Sequence, residues 1–300
     1  MKLNGHKKND LLFKKMLQYI TINNQGGFAC YWRRKAVVLP IILQKLGFNK
    51  IVNIPLFFNR RMNVITGEVI SSGLISFGYA EIALTALMLK ILRQGDFMVD
   101  VGTHFGYEAL LASQLVGKNG SVVCFEPHPD TFKIARKNLT ESNIAVNNMA
   151  VGSADGHIKM LNNDVSQSAF NSISASSDDG ASIDVPLVSL DSFFKERKQK
   201  INFIKCDVEG FEMEVLKGAI NVIEQDKPVL VLEAEMPENG ERVRAREFAA
   251  FLNPYSYRAF NFGLQGSDLK IEDLDQSKSD HANVLFVHES MIEIVKQQIS

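Results

Sequence analysis

The sequence predicts an α/β fold in which seven mostly parallel strands form one sheet with helices on both faces. From about residue 97 onward, short apolar runs rich in Val, Ile and Phe alternate with segments of helical periodicity. This alternation implies right-handed crossovers, and therefore parallel strands covered by helices. The composition, 46% hydrophobic and 22% charged over 300 residues, is typical of a globular chain that can bury one sizeable core.

The first 75 residues are predicted to form a basic N-terminal extension of helices and short strands, and residues 76–300 the main domain. Residues 1–75 contain 12 basic and 2 acidic residues, a charge of +10, whereas the rest contains 21 and 32, a charge of −11. This asymmetry fits an anionic partner, but a solvated face or contact with the acidic remainder is the simpler interpretation. The predicted elements here are helices at 9–20 and 28–46 and extended runs at 51–58, 62–65 and 68–71.

In the main domain, most predicted strands are followed by a helix with apolar residues every three to four positions. A helix from about residue 79 precedes the first strand. After the third strand, extended pieces near 157–161 and 184–188 flank a polar segment at 164–183, which is predicted to be a loop. The strands are predicted at 97–101, 121–126, 145–151, 201–206, 228–233, 256–262 and 283–288, and the helices at 106–116, 129–141, 211–225 and 241–252.

Several features predict a cytoplasmic protein. The three cysteines, Cys30, Cys124 and Cys206, form no Cys-x-x-Cys pair, and Cys124 and Cys206, in strand-like apolar runs, are interpreted as small buried side chains in a reducing compartment. The N-terminus lacks the apolar segment of a signal peptide. The apolar stretch Ala36–Phe58 is interrupted by lysines and prolines and does not predict a membrane span. The oligomeric state stays open, including a homo-oligomer.

The candidate ligand-binding residues end the strands, because open parallel sheets bind ligands at the carboxyl ends of their strands. The first strand ends V-D-V-G-T-H-F-G-Y, where Gly102 and Gly106 permit close backbone approach and the next helix offers its N-terminus to an anion. Glu126 ends the second strand and can accept hydrogen bonds from two ribose hydroxyls. Asp100 suits an ammonium group, and the turn lacks the G-x-G-x-x-G that cradles a pyrophosphate. The pattern therefore favours S-adenosylmethionine over a dinucleotide; a structural turn beside a capping acid is the alternative.

The fourth strand leads into the string F-I-K-C-D-V-E-G-F-E-M-E-V-L-K-G-A over residues 203–219. Asp207 and Glu209 would end this strand beside the reactive sulfonium of the cofactor. Glu209 is interpreted either as a catalytic group or as a helix cap, and the sequence does not separate the two. Lys205 is predicted to pair with a neighbouring acid.

These strings, together with C-F-E-P-H-P, N-M-A-V-G-S and S-L-D-S-F, resemble the FkbM family of S-adenosylmethionine-dependent methyltransferases over about residues 79–235. The resemblance implies the Rossmann-like fold of class I methyltransferases and O-methylation of a hydroxyl on a sugar, glycolipid or polyketide-like molecule. It also implies that Ala150 lies near the adenine. The residues expected to bind the cofactor are Glu81, Asp100, Gly102, Thr103, His104, Gly106, Glu126, Pro127, Ala150 and Asp207.

One departure from the family concerns the glycine turn, which usually reads D-V-G-A-N-x-G. Here Thr103 and His104 stand in place of the small residue and the amide. His104 can still donate a hydrogen bond to the cofactor carboxylate, so cofactor binding is expected to survive. Protonation of this histidine would then make cofactor binding sensitive to pH between 5 and 8.

Methyl transfer to an alcohol requires alignment of three atoms and removal of the hydroxyl proton. Glu209 and Asp207 are the predicted catalytic residues, with His104 and His128 as other candidate bases. The simpler interpretation of His128 is a loop histidine that faces solvent. Asp207 with the acids Glu233 and Glu235 could bind Mg²⁺, but no ligand spacing demands it and no metal is predicted.

Three alternatives remain for the function of the chain. A nucleic-acid methyltransferase could use the basic extension, but D-V-E-G at residues 207–210 puts acids where a base would stack. A non-catalytic S-adenosylmethionine-binding module is disfavoured by the acids at three strand ends, and a dehydrogenase by the absent pyrophosphate motif. If the basic clusters bind a partner, we expect an anionic glycan, a lipid-linked acceptor or peripheral contact with a membrane.

Overall fold

The strands in the described part of the chain form three sheets. The computed structural model describes residues 3–24, 50–161, 182–234, 243–274 and 283–299. The helix predicted at 28–46 lies outside these ranges, as does the loop predicted at 164–183 except for its last two residues. The strands are β1 (Ile51–Pro55), β2 (Arg61–Ile65), β3 (Phe97–Val101), β4 (Ser121–Phe125), β5 (Ile144–Asn147), β6 (Ala150–Val151), β7 (Gly156–Leu161), β8 (Ser182–Val188), β9 (Phe203–Cys206), β10 (Val229–Glu233), β11 (Tyr257–Gln265), β12 (Asp268–Asp273) and β13 (Asn283–His288).

The largest sheet has the strand order β12-β11-β13-β10-β9-β3-β4-β5. Strands β10, β9, β3, β4 and β5 are parallel, and the three strands at the other edge are antiparallel. The predicted α/β class with a mostly parallel sheet is therefore confirmed. All seven predicted strands contribute to this sheet, and an eighth, β12, joins because the chain reverses at Gly266 (φ 65°) into a hairpin with β11.

The predicted third strand at 145–151 is in fact two strands in different sheets. The first part, β5, closes the edge of the large sheet beside β4. The second part, β6, pairs with β8, which also pairs with β7 in a three-stranded sheet. Because β6 leaves the large sheet, Ala150 starts a second small layer beside the strand ends.

The helices cover both faces of the large sheet, as the sequence predicts. Their apolar residues recur at helical spacing, and in most of them the side chains on that face are buried. The described helices are α1 (Leu3–Asn24), α2 (Val69–Phe77), α3 (Ile82–Ile91), α4 (Tyr107–Val116), α5 (Pro129–Asn138), α6 (Leu190–Phe193), α7 (Glu212–Lys217), α8 (Ile220–Asp226), α9 (Val243–Leu252) and α10 (Ile292–Ile299).

Two local predictions are wrong. The run at 68–71 is not extended, because the Glu68 carboxylate accepts from the backbone N–H groups of Ile70 at 2.8 Å and Ser71 at 2.6 Å and so starts α2. The helix predicted at 211–225 is divided at Gly218. A Cβ at Gly218 would overlap the carbonyl oxygen of Gly152, so this backbone approach fixes a break between α7 and α8.

Two hydrophobic cores flank the large sheet. One core contains side chains of α1, α3, α4, α5 and α10, with Phe105, Leu87 and Met16 at most 1% exposed. The other contains side chains of α6, α7, α8 and α9, with Phe248 and Val222 fully or almost fully buried. Cys124 and Cys206 are buried free thiols, as predicted, and each lies in one of these cores. Burial on both faces explains why the central strands read as continuous apolar runs.

The described part of the basic N-terminal extension packs on the first of these cores. Phe13 and Met16 of α1 are buried there, and the β1–β2 hairpin contacts α5 through Asn63 and Asn138. Within the described ranges, no single helix is long and apolar enough to cross a membrane. Helices α2 and α3 together have the length and apolar composition of a span, but they are bent by 70° at the break between them.

Candidate active site

A cavity lies at the carboxyl ends of β3, β4 and β9, the edge where the sequence places its candidate residues. Most of the predicted residues line this cavity, whereas Asp100 and Gly106 do not. Apolar side chains from the N-terminal extension and from the second small layer complete the wall, among them Met62, Leu74 and Met160. The predicted residues on the cavity wall are Glu81, Gly102, Thr103, His104, Glu126, Pro127, Ala150, Asp207 and Glu209.

Gly102 brings the turns after β3 and β9 into direct backbone contact. Its φ is 78°, and a Cβ at this position would overlap the carbonyl oxygen of Asp207. The N–H groups of Gly102 and Thr103 both donate to the Phe125 carbonyl at 3.0 Å. Glycine is required at position 102 because the backbone is left-handed there and because no Cβ fits against Asp207. This requirement explains why the glycine of the turn lies where the ends of β3, β4 and β9 meet.

Asp100 lies beneath the cavity rather than on its wall. Its side chain is 0% exposed, and Oδ2 accepts a 2.6 Å hydrogen bond from the Thr103 hydroxyl. Oδ1 has no hydrogen-bond donor among the described residues and lies 4.0 Å from Nζ of Lys205. Burial raises the pKa of Asp100, and the Lys205 ammonium opposes that rise. The arrangement supports the glycine turn from below, and the buried Oδ1 faces Lys205 rather than the cavity.

Glu126 is held by two backbone N–H groups at the end of β4. Oε2 accepts from His104 N at 3.0 Å and Oε1 from His128 N at 3.0 Å. Burial raises the pKa of Glu126 to about 8, and these two hydrogen bonds partly oppose the rise. Since each carboxylate oxygen has a second lone pair, Glu126 can still accept from ligand hydroxyls.

His104 adopts a left-handed backbone conformation, with φ 52°, and its ring lies 3.9 Å from the ring of Phe105 between centroids. Burial lowers the pKa of His104 to about 4. The imidazole is therefore neutral from pH 5 to pH 8. The expectation that its protonation controls cofactor binding in that range is not supported.

His128 is not the solvent-facing loop histidine that the sequence indicates. Its side chain is 1% exposed at the start of α5, where its backbone N–H binds Glu126. The residue does not line the cavity. His128, two positions after Glu126, closes the turn around that carboxyl group, so its place in the structure does not support a role in taking the proton of an acceptor.

Lys205 forms the predicted ion pairs with neighbouring acids and also contributes to the cavity wall. Its Nζ lies 3.2 Å from Oδ2 of Asp207 and donates to the Gly102 carbonyl at 3.1 Å. Burial opposes its charge, but Asp207 and Asp100 keep the pKa of Lys205 well above its ordinary value. The ammonium therefore stays charged and partly neutralises an acidic site.

Three acids converge where β9 and β10 end. Single carboxylate oxygens of Asp207, Glu209 and Glu233 lie within 4.8 Å of one another. Burial opposes ionisation of Asp207, but Lys205 outweighs it and holds the pKa of Asp207 below its ordinary value. Burial and the Asp207 charge raise the pKa of Glu233 to about 10. At neutral pH, therefore, Asp207 is ionised and Glu233 holds a proton.

The same three carboxylates are spaced closely enough to hold a divalent cation. Lys205 already places a positive charge 3.2 Å from Asp207, which reduces the need for a metal. Glu235, the other acid considered from the sequence, lies outside the described residues. The expectation that no metal is bound stays a prediction.

The sequence missed several residues that shape this cavity. Glu108, in the first turn of α4, lines the wall, and burial raises its pKa to about 8. Tyr107 lies beside it and pairs its hydroxyl with Thr85 at 3.1 Å. Glu81, which was predicted, occupies the N-cap position of α3 with a left-handed φ of 36° but makes no side-chain capping hydrogen bond, and it accepts a 3.3 Å hydrogen bond from Asn283 of β13. The only feature of the sequence that could have indicated Glu108 as a wall residue is its place two residues after Gly106, in the first turn of the helix that follows the glycine turn.

Comparison with known proteins agrees with the resemblance stated from the motifs. A family model described as the methyltransferase FkbM domain matches residues 100–259, more than half of the chain. The hexuronic acid methyltransferase AglP of Haloferax volcanii is 29% identical over 148 residues, 48% of this chain and 59% of that protein. Protein-L-isoaspartate O-methyltransferase 1 of Archaeoglobus fulgidus is 35% identical over 77 residues, 25% of this chain and 35% of that protein. The chain thus spans less than two thirds of these relatives.

Among solved structures, the methyltransferase FkbM of Methylobacillus flagellatus matches with a TM-score of 0.43 and 15% identity, over 72% of this chain and 52% of that one. Aeropyrum pernix fibrillarin with bound S-adenosyl-L-methionine matches with a TM-score of 0.41 and 16% identity, over 68% of this chain and 74% of that one.

Proposed function

Because this chain belongs to the FkbM family of methyltransferases, whose cofactor is S-adenosylmethionine, we propose that it methylates a hydroxyl oxygen of a sugar or glycolipid. The observation that carries the proposal is the cavity at the ends of β3, β4 and β9, lined by residues of the family motifs. A sugar acceptor is supported by the similarity to a hexuronic acid methyltransferase.

The residues of the cavity fit S-adenosylmethionine. Glu126 offers two carboxyl oxygens, each fixed by a backbone N–H group, for the ribose hydroxyls, and Asp100 supports the glycine turn from beneath the cavity wall. Met149, Ala150 and Met160 supply an apolar wall for an adenine ring. When bound, the cofactor supplies a methyl group on a positively charged sulfur. The ionised carboxylate of Asp207 favours that charge in a partly buried site.

Transfer forms a C–O bond to the acceptor and breaks the C–S bond, and the acceptor hydroxyl loses its proton to a base. We assign this proton to Glu209, which lines the cavity and lies beside Asp207 and Glu233. Asp207 is a weaker base because Lys205 stabilises its ionised form, and Glu233 already carries a proton. Asp207 and Lys205 instead fix the charge and the shape of the site.

The proposed function is tested by calorimetry followed by a transfer assay. S-adenosylhomocysteine is expected to bind and NAD is not. Labelled methyl groups from S-adenosylmethionine are then offered to glycans that contain hexuronic acids, to neutral glycans, to glycolipids and to RNA. Glu126→Ala should weaken binding of S-adenosylhomocysteine, whereas Glu224→Ala, an exposed acid on α8, should not. NAD binding, or transfer to RNA alone, would contradict the proposal.

A further inference from the structure

The backbone turn that presents Glu209 is wrapped around the carboxylate of Glu212. Oε1 of Glu212 accepts from the backbone N–H groups of Val208 at 3.0 Å and of Gly210 at 3.2 Å. These two donors are the residues on either side of Glu209. One carboxylate oxygen therefore links the peptide unit that precedes Val208 with the peptide unit that follows Glu209, and so spans the backbone turn that carries the Glu209 side chain.

Glu212 is not an ordinary acid of a first helical turn. Such acids usually face solvent near the helix N-terminus, whereas this side chain is 1% exposed. Its donors precede α7, so the hydrogen bonds do not cap the helix but close the loop in front of it. Burial raises the pKa of Glu212, and the bonds from Val208 and Gly210 oppose that rise.

Arg244, in the first turn of α9, holds the other oxygen of the same carboxylate. Its Nη1 lies 3.3 Å from Oε2 of Glu212. The guanidinium also lies against Gly210, because a Cβ at that glycine would be 3.0 Å from an Arg244 nitrogen. Gly210 has φ 100°, a conformation that only glycine adopts without strain, and the absence of a side chain there leaves room for the Arg244 guanidinium.

The strained backbone of Glu209 is what this arrangement stabilises. Glu209 has φ 53°, a left-handed conformation that a residue with a side chain rarely adopts. Strain of this kind persists when the surroundings hold it, and it is found at functional sites. Without Glu212, the turn would lose both bridging hydrogen bonds and could relax toward an ordinary conformation.

We propose that Glu212, held by Arg244, is a positioning residue that fixes the Glu209 carboxylate toward the acceptor hydroxyl. This inference rests on the proposed function and adds to it a pair of residues outside the cavity wall. Neither Glu212 nor Arg244 lines the cavity, so both act through Glu209 rather than on the cofactor or the acceptor.

The test measures kcat and the acceptor KM at saturating S-adenosylmethionine for Glu212→Ala, Glu212→Gln and the double variant Glu209→Gln/Glu212→Ala. Misplacement of a catalytic group by about 1 Å can cost roughly 100-fold, so we expect Glu212→Ala to lower kcat by about 10- to 100-fold. Affinity for S-adenosylhomocysteine should change little. Glu212→Gln should recover part of the rate, because its amide oxygen can accept the same two N–H groups although its NH2 group can no longer pair with Arg244.

The double variant separates positioning from general damage to the fold. If Glu212 acts through Glu209, the double variant is no slower than Glu209→Gln alone, because the effects of coupled residues do not add. Glu214→Gln is the matched control: this acid lies on the same helix but pairs with Lys217 and Ser153, and its loss should leave kcat unchanged. If Glu212→Ala does not fold, Arg244→Lys replaces it in the same cycle.

Additive losses of kcat in the double variant would overturn the positioning role, as would a wild-type kcat in Glu212→Ala or in Glu209→Gln. The proposed function would still stand in each case, provided that the unmodified chain transfers methyl groups. Failure of the unmodified chain to bind S-adenosylhomocysteine would overturn both. The two failures are therefore distinguishable.

Discussion

The two halves of the cavity differ in how their charged groups are satisfied. On the β3–β4 side, Asp100 and Glu126 accept hydrogen bonds from residues of the same turns, and the backbone is fixed before any ligand binds. On the β9–β10 side, Asp207, Glu209 and Glu233 crowd within 4.8 Å, and Lys205 balances them. In the proposed function, the first half holds the ribose of the cofactor with prearranged groups, and the second half carries the titratable acids that a proton transfer requires.

The largest effect is expected where the two halves touch. Gly102→Ala would place a Cβ against the Asp207 carbonyl at a φ of 78°, so the turns after β3 and β9 must separate. We expect loss of measurable S-adenosylhomocysteine binding by calorimetry and a lower melting temperature. Gly95→Ala is the control, because it has φ 91° but nothing within 4 Å of its Cβ, and its cost should be limited to about 1 kcal/mol of strain. Equal effects of the two variants would show that the contact between the halves is unimportant.

The next effect separates chemistry from cofactor binding. Glu209→Gln keeps the size of the side chain but removes the proposed base, so methyl transfer should fall by about 10²- to 10⁴-fold. Binding of S-adenosylhomocysteine should stay near the wild-type value, since the β3–β4 side is intact. Single-turnover transfer with saturating cofactor measures the first quantity and calorimetry the second. A parallel loss of both would mean that the β9–β10 side also holds the cofactor.

A third prediction concerns the pH dependence of stability on the β3–β4 side. The folded pKa of Glu126, about 8, lies above its ordinary value of 4.5. Its contribution to stability is thus complete below pH 4.5 and is lost as the pH rises toward 8. We expect the free energy of unfolding to fall in this window by an amount on the order of 1 kcal/mol per pH unit for this group, and Glu126→Gln to flatten the dependence. Denaturant unfolding at pH 5, 6.5 and 8 measures it, and identical slopes in the two proteins would contradict the assignment.

The smallest effect is expected at Thr103. Thr103→Ala restores the residue usual in the family but removes the 2.6 Å hydrogen bond to the buried Asp100, at a cost of about 1–3 kcal/mol of stability. Thr103→Ser keeps the hydroxyl and should be close to wild type. Denaturant unfolding compares the three proteins. A neutral Thr103→Ala would mean that Lys205 alone satisfies Asp100.

The strand ends of this site could be predicted from sequence because buried parallel strands give continuous apolar runs, and motif residues follow them directly. The placement of Asp100 could not, since it depends on a hydroxyl three residues later and on Lys205 in the neighbouring strand. The helical start at Glu68 was also missed, because a side-chain cap overrides the extended tendency of the residues after it.

The inward orientation of Glu212 was invisible for a similar reason. An acid in a first helical turn predicts a solvated residue that favours the helix dipole, and only the three-dimensional path of residues 207–212 turns it back onto the loop. Wall residues such as Met62 and Leu74 come from a segment without a recognisable motif, so their place in the site required the fold.

The central claim is that Glu209 accepts the proton of a sugar hydroxyl during methyl transfer. It is tested most directly by comparing the chain with Glu209→Gln at equal cofactor occupancy and locating the labelled carbon in the product by NMR. The account predicts a methyl ether on a sugar oxygen, formed much faster by the unmodified chain. Equal rates in the two proteins, or a label on nitrogen or carbon, would contradict it.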